Sequence, residues 1–224
     1  NLYGDLANSE YLARCCGAEI VNTALGEKPR FLTEDVALVS LCCTTEKGQS
    51  LVRDAIKKYE DEFKSRIDAG QLILVTGNAL EIFGEYIENE DGSRVEALGI
   101  YHLYAKRDMM HRHNSTVLGK FEDIELVGFK AEFSQLHGLG TDVDCLAELS
   151  FGTGRNSETK IEGVRVNNFF STSIVGPFLL INPPFVKYLM ELLGIKDPVL
   201  AHEEVIMAAY DKRLADIKRM AGLK

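Results

Sequence analysis

Thr76, Gly77 and Asn78 stand where this chain has the shape of a reaction centre but not its chemistry. Upstream, Leu72, Ile73, Leu74 and Val75 form a continuous apolar run, the pattern of a strand buried on both faces. Downstream, Ala79, Leu80, Ile82 and Phe83 resume at helix-like spacing. A buried strand, a tight turn and a helix start make a nucleophile elbow, which lifts one side chain out of a sheet beside a helix N-terminus. Covalent catalysis there needs an activated nucleophile. The turn carries neither Cys nor Ser, and Thr76 without an N-terminal amine or a strong base is a poor substitute. The residues predict an elbow whose nucleophile is missing.

Other residue types capable of chemistry are scattered. The five cysteines are Cys15, Cys16, Cys42, Cys43 and Cys145. Two adjacent pairs plus one match neither a secreted disulfide framework nor a zinc spacing, so buried, reduced thiols are expected. His111 and His113 would share one face of a strand, yet no carboxylate or Cys at suitable spacing completes a metal site. Gly152, Thr153 and Gly154 lack the pattern of a phosphate-binding loop and read as a hairpin turn. Neither a metal nor a cofactor is expected.

These pieces need a scaffold. The 224 residues suffice for one large α/β domain, and 46% hydrophobic with 26% charged residues is an ordinary globular balance. The net charge of −9 disfavours nucleic acid as a partner. No apolar run reaches the length of about 20 residues that spans a membrane, and a cytoplasmic setting is expected. A helix is expected through Tyr11, Leu12 and Cys16, then strands over residues 19–24 and 35–41. A long amphipathic helix follows from Thr45 through Leu51, Val52, Ile56, Tyr59, Phe63 and Ile67, ended by Gly70. Strand, helix, strand is the mark of a parallel sheet with right-handed crossovers. After Gly84 the chain becomes β-rich. A hairpin pairs residues 85–88 with 95–99, further strands are expected over 101–105, 116–121, 125–130, 146–151 and 163–167, and residues 169–175 form another apolar run. Pro183 and Pro184 open a helix over 185–193, and a last helix runs from about residue 200 to 220.

The order of these segments resembles the class I glutamine amidotransferases of the cobyric acid synthase type, and among them the glutaminase subunits of bacterial lipid II isoglutaminyl synthases. The opening NLYGDLAN is similar to that family's N-L-Y-x-D motif, which a strand precedes; that strand is expected upstream of Asn1. Residues 35–39 with Glu46 and Gln49, the turn at Asp91 and Gly92 with Leu98, Gly99 and Ile100, the V-G-F of Val127, Gly128 and Phe129, and Gly176 with Pro177 match in order. The resemblance implies a three-layer, flavodoxin-like α/β fold with a mixed sheet, spanning residues 1–224 as one domain.

The departures from the family pattern fall on its catalytic positions. The family's elbow Cys falls on Gly77, or on Thr76 with one residue of slip, and its Tyr-Gln pair on Leu80 and Glu81. Its base His, before Gly-Pro, falls on Val175, and its oxyanion glycines on Ser40, Leu41 and Cys42. The family's G-F-E-N-H-x-G-R-T becomes the stretch from Gly128 to Leu136, and Arg112 is the stand-in for its substrate-binding Arg. The resemblance implies a pocket bounded by Arg112, Cys42, Cys43, Leu80, Glu81, Gly128, Phe129 and Gly176, with no intact catalytic set. It also implies a protein partner, either a Mur-ligase-like subunit or a true glutaminase. Three readings stay open: an inactive structural or regulatory subunit; an enzyme with chemistry relocated to Cys42 or Cys43 and His111 or His113; and a small-molecule sensor using the vacated pocket.

Overall fold

The computed structural model describes residues 2–138 and 143–223. Helix α1 (Leu6–Cys16) ends on Gly17 in the left-handed region, and strand β1 (Val39–Leu41) follows a long connection. Helix α2 (Glu46–Ile56) is capped by the Thr45 hydroxyl, which accepts from the Gly48 N–H. A 3₁₀ turn at Lys57–Tyr59 separates it from α3 (Glu60–Asp68). The single long helix expected here is thus two. Glu60, Asp61 and Glu62 crowd the first turn of the second, where negative charge complements a helix N-terminus.

Strand β2 (Ile73–Thr76) runs into a 3₁₀ helix, Gly77–Phe83. The carbonyls that would carry an α-helix onward are taken. Leu98 N–H donates to Ile82, Ile100 and Tyr101 N–H to Phe83, and Gly99 N–H to Gly84. The hairpin follows as β3 (Tyr86–Glu88) and β4 (Arg94–Glu96), then β5 (Tyr104–Arg107), β6 (His113–Phe121), β7 (Ile124–Glu132), β8 (Ser134–His137), β9 (Ala147–Phe151), β10 (Ile161–Glu162), β11 (Val164–Val166) and β12 (Phe169–Thr172). The chain closes with α4 (Phe178–Ile181), α5 (Pro183–Leu192) and α6 (Glu203–Ala221).

The strands make three four-stranded sheets. The central one has the order β1-β2-β12-β11, with β1, β2 and β12 parallel and β11 antiparallel. A second, antiparallel sheet has the order β10-β9-β6-β7, and a mixed third one β4-β3-β5-β8. Residues 19–24 make no ladder; Ile20 and Val21 lie exposed, and a strand without a partner leaves its backbone groups to water. The strand expected over 35–41 shortens to Val39–Leu41, and β8 was not foreseen. No helix among the described residues is long and apolar enough to cross a membrane.

The period-two alternation of β2 and β12 divides the core in two. Ile73, Val75 and Phe169 face a cluster with Phe31, Phe63 and Phe83, on the side of α2 and α3. Leu72, Leu74 and Phe170 face the other, with Leu12, Phe121, Phe178, Phe185 and Leu189, under α1 and α5. Both faces are covered, which is why residues 72–75 read as an unbroken apolar run. On the first face, Phe63, Phe83 and Phe169 stack edge to face at 5.6 and 5.0 Å between centroids.

Asn182, between α4 and α5, fastens that corner to β7 of the second sheet. Its fully buried amide donates to Val127 C=O (2.9 Å) and Phe178 C=O (2.9 Å) and accepts from Val127 N–H (2.8 Å). Removing it leaves buried backbone groups unpaired, at about 1–3 kcal/mol each. Asn182→Ala should lower unfolding stability by about 2–4 kcal/mol in urea titrations; a loss under about 0.5 kcal/mol would contradict this role.

Candidate functional site

The elbow forms at the C-terminal edge of the central sheet. Thr76 is extended, and Gly77 turns the chain with φ +59°, in the left-handed region that favours glycine. A Cβ placed on Gly77 would lie 2.5 Å from Cys43 Sγ and 2.6 Å from Cys43 Cβ. Both distances are far below van der Waals contact. The space that a nucleophilic side chain on residue 77 would need is therefore filled by the thiol of Cys43, two residues beyond β1.

Asp5 locks that arrangement. Its buried carboxylate accepts from Cys43 N–H (2.6 Å), from Asn8 Nδ2 (2.5 Å) and from the Thr76 hydroxyl. Burial pushes its pKa up, while those three donors pull it back. Thr76 thus spends its hydroxyl proton on Asp5. Burial also pushes the Cys43 thiol up to about 11, with the nearby Asp5 and Glu81 carboxylates acting in the same direction. Cys42 is raised as well, first by burial and then by Asp5. A thiol used as a nucleophile needs the opposite setting.

The other side of the turn is equally closed. Asn78 bonds Thr44 twice, accepting from its N–H (3.1 Å) and donating to its C=O (2.7 Å). Buried Gln49 donates through Nε2 to Asn78 C=O (2.5 Å) and to Glu81 (2.9 Å), and accepts from Arg107. Burial raises Glu81, against the Gln49 hydrogen bond and the Arg107 charge. Leu80 is fully buried.

Val175 lies buried across from β7, its N–H donating to Phe129 C=O (2.9 Å), and Gly176 follows with φ +97°. Phe129 is 43% exposed beside it. Gly128 is required by packing, because a Cβ there would meet Ile174 Cγ2 at 2.2 Å. The imidazoles lie elsewhere. His102 contacts Glu85, His111 contacts Asp108, His137 stacks on Tyr104, and His202 precedes α6.

Cys42, Cys43, Thr76, Gly77, Asn78, Leu80 and Glu81 are thus brought together, with Val175 and Gly176 on the next strand end. Arg112 is not among them. It lies over the Phe133 ring (4.6 Å) and lines a separate polar cavity with His113, Lys130 and Glu132. The arginine that reaches the elbow network is Arg107. The roles of Asp5 and Arg107 were not foreseen; the only hint was the acidic residue closing NLYGD. Among the described residues, no group of three or more His, Cys, Asp or Glu is placed to hold a metal.

No protein-family model matches the chain. Solved structures that share its fold include two glutamine amidotransferases. A glutamine amidotransferase superposes with TM-score 0.56 at 19% identity, covering 86% of this chain and 95% of the other. A glutamine amidotransferase from Thermotoga maritima gives TM-score 0.54 at 13% identity, covering 99% and 94%. The architecture is that of the glutamine amidotransferases. In sequence the chain is similar to the GatD subunit of lipid II isoglutaminyl synthase (glutamine-hydrolyzing) from Staphylococcus aureus, 25% identical over 195 residues, or 85% of this chain and 79% of that one. The GatD subunit of Streptococcus pneumoniae is 22% identical over 230 residues, or 99% and 88%. The resemblance read from the motifs therefore holds: the chain has a glutamine amidotransferase fold and is similar in sequence to GatD subunits.

The contact at the elbow can be measured. Gly77→Ala adds a clash to left-handed strain and should cost about 3 kcal/mol or more. In a Cys43→Gly background the clash is gone, so the double-mutant cycle should show coupling of about 1–2 kcal/mol. Strict additivity would contradict the packing of Cys43 against residue 77.

Proposed function

We propose that this chain is a glutamine amidotransferase-like subunit that does not hydrolyse glutamine. It serves as a structural or regulatory partner of a Mur-ligase-like protein, or of a true glutaminase, in the amidation of a cell-wall precursor. The observation that carries this reading is the thiol of Cys43 in the volume needed by a nucleophile on residue 77. Glutamine hydrolysis at an elbow needs a thiolate, a base and an oxyanion cradle acting as a unit. Here residue 77 has no side chain, Val175 cannot take a proton, and Leu41 and Cys42 occupy the place of the oxyanion glycines.

The relocated-thiol reading is the weaker one. With a pKa of about 11, roughly one Cys43 in ten thousand is thiolate at neutral pH. Its amide is held by Asp5, and of the two candidate bases His111 contacts Asp108 while His113 lines the separate polar cavity. The partnership rests on the similar proteins being named as subunits of a synthase. The cytoplasmic setting rests on five free cysteines, which suit a reducing compartment.

Purified protein incubated with glutamine should release no glutamate above the buffer control, alone or with a Mur-ligase-like protein, while co-purification with that protein or with a glutaminase should be retained. Sustained glutamate release by the pure chain would overturn the inactive assignment. Absence of binding to either protein would overturn the partnership.

A further inference from the structure

β1 is an edge strand of the central sheet, paired with β2 on one side. Val39 N–H donates toward β2, to Leu72 C=O (3.0 Å), so the backbone N–H and C=O of Ser40 face the other way. There a cavity of about 680 Å³ separates β1 from residues 18–25. Among the described residues, no hydrogen bond joins β1 to that segment. Bare edges of this kind are strong templates for a further strand.

The cavity is as deep as the sheet is thick. Its lining takes Ile56, Phe63 and Ile82 from the cluster under α2 and α3, and Leu12 with Cys16 from the α1 side. Ile20, Val21 and Leu25 stand exposed along the far wall. An occupant must offer apolar groups on two opposite faces and main-chain donors and acceptors along its edges. A β-strand has that arrangement, whereas a lipid tail leaves the Ser40 amide and carbonyl unpaired. The N-terminal residues point to the source of the strand. Leu2 N–H donates to Cys43 C=O (3.0 Å), just beyond the C-terminal end of β1. A chain that reaches Leu2 through the cavity runs in the same direction as β1, and α1 then becomes the crossover helix to residues 19–24.

We propose that this cavity seats a fifth strand of the central sheet, parallel to β1 and supplied by the segment of this chain that leads into Asn1, and that seating it turns residues 19–24 into a sixth strand on its outer side. The resemblance places a strand ahead of Asn1 but gives it no neighbours; the cavity supplies both. The proposal accounts for a segment that reads as a strand in the sequence yet makes no ladder. It also sets the composition of the inserted strand: apolar at successive positions, like Ile73–Val75, because both of its faces are covered. The assignment is independent of whether the elbow is active.

The test adds the sequence KTVIVIV directly ahead of Asn1 and compares the extended chain with the 224-residue one. Tm should rise by about 5 °C or more. Amide exchange at Ser40 and at residues 20–24 should slow by roughly a hundredfold or more. The same extension with proline at its centre should do neither, because proline breaks a ladder paired on both edges. Ala13→Trp, which fills the cavity from α1, should keep the helix content by circular dichroism and abolish the gain in Tm. An extension that leaves Tm and exchange unchanged would overturn the proposal, as would a gain that survives Ala13→Trp. So would slow exchange at Ser40 in the unextended chain, which means that residues 19–24 or a second copy already cover the edge. Free KTVIVIV peptide at equimolar concentration protecting Ser40 as well as the tethered copy would also overturn it, making the cavity a docking site for a separate chain's strand.

Discussion

The contact between Cys43 and Gly77 is the constraint on which the rest of this site depends. A glycine in the left-handed region makes the strand-to-helix turn possible. Its missing side chain leaves a hole at the sheet edge, and a hole in a packed interior forfeits contacts on every wall. Cys43 fills it. Once the thiol is there, Asp5 is placed to bind the Cys43 amide and the Thr76 hydroxyl together, joining the N-terminal loop, the end of β1 and the end of β2. A reactive thiol needs a base, some solvent and a positive field. This one has a carboxylate neighbour and burial instead.

The same economy runs through the neighbouring groups. Asn78, Gln49, Glu81 and Arg107 spend their polar atoms on one another and on the backbone. Buried polar networks of this kind rigidify when fully satisfied. An elbow that must receive a substrate keeps some of its donors free to meet it; here most are used internally, and the buried Nε of Arg107 is the exception.

Much of the scaffold was legible in the sequence, for a physical reason. Residues 72–75 are apolar on both alternating faces because α2 and α3 cover one and α1 and α5 the other, so burial imprinted itself on the pattern. The hairpin announced itself through Asp91 and Gly92. What the chain could not announce were contacts between distant residues. Nothing around Cys43 reveals that it fills the space beside a residue thirty-four positions later. Arg112 falls near the family's arginine in linear order, yet Arg107 is the one whose strand carries it to Gln49. The break between α2 and α3 lay under an unbroken apolar stripe, and only the acidic triplet at Glu60 marked it.

An electrophilic glutamine analogue offers the most direct measurement of whether the elbow is closed. A chloroketone carrying the glutamine side chain alkylates any thiolate poised beside a glutamine pocket, and intact mass followed by peptide mapping reports the adduct. The structure predicts no adduct on folded protein at neutral pH, and modification of Cys42 and Cys43 only after unfolding. Rapid, stoichiometric labelling of Cys43 in the folded chain, blocked by excess glutamine, would contradict the account.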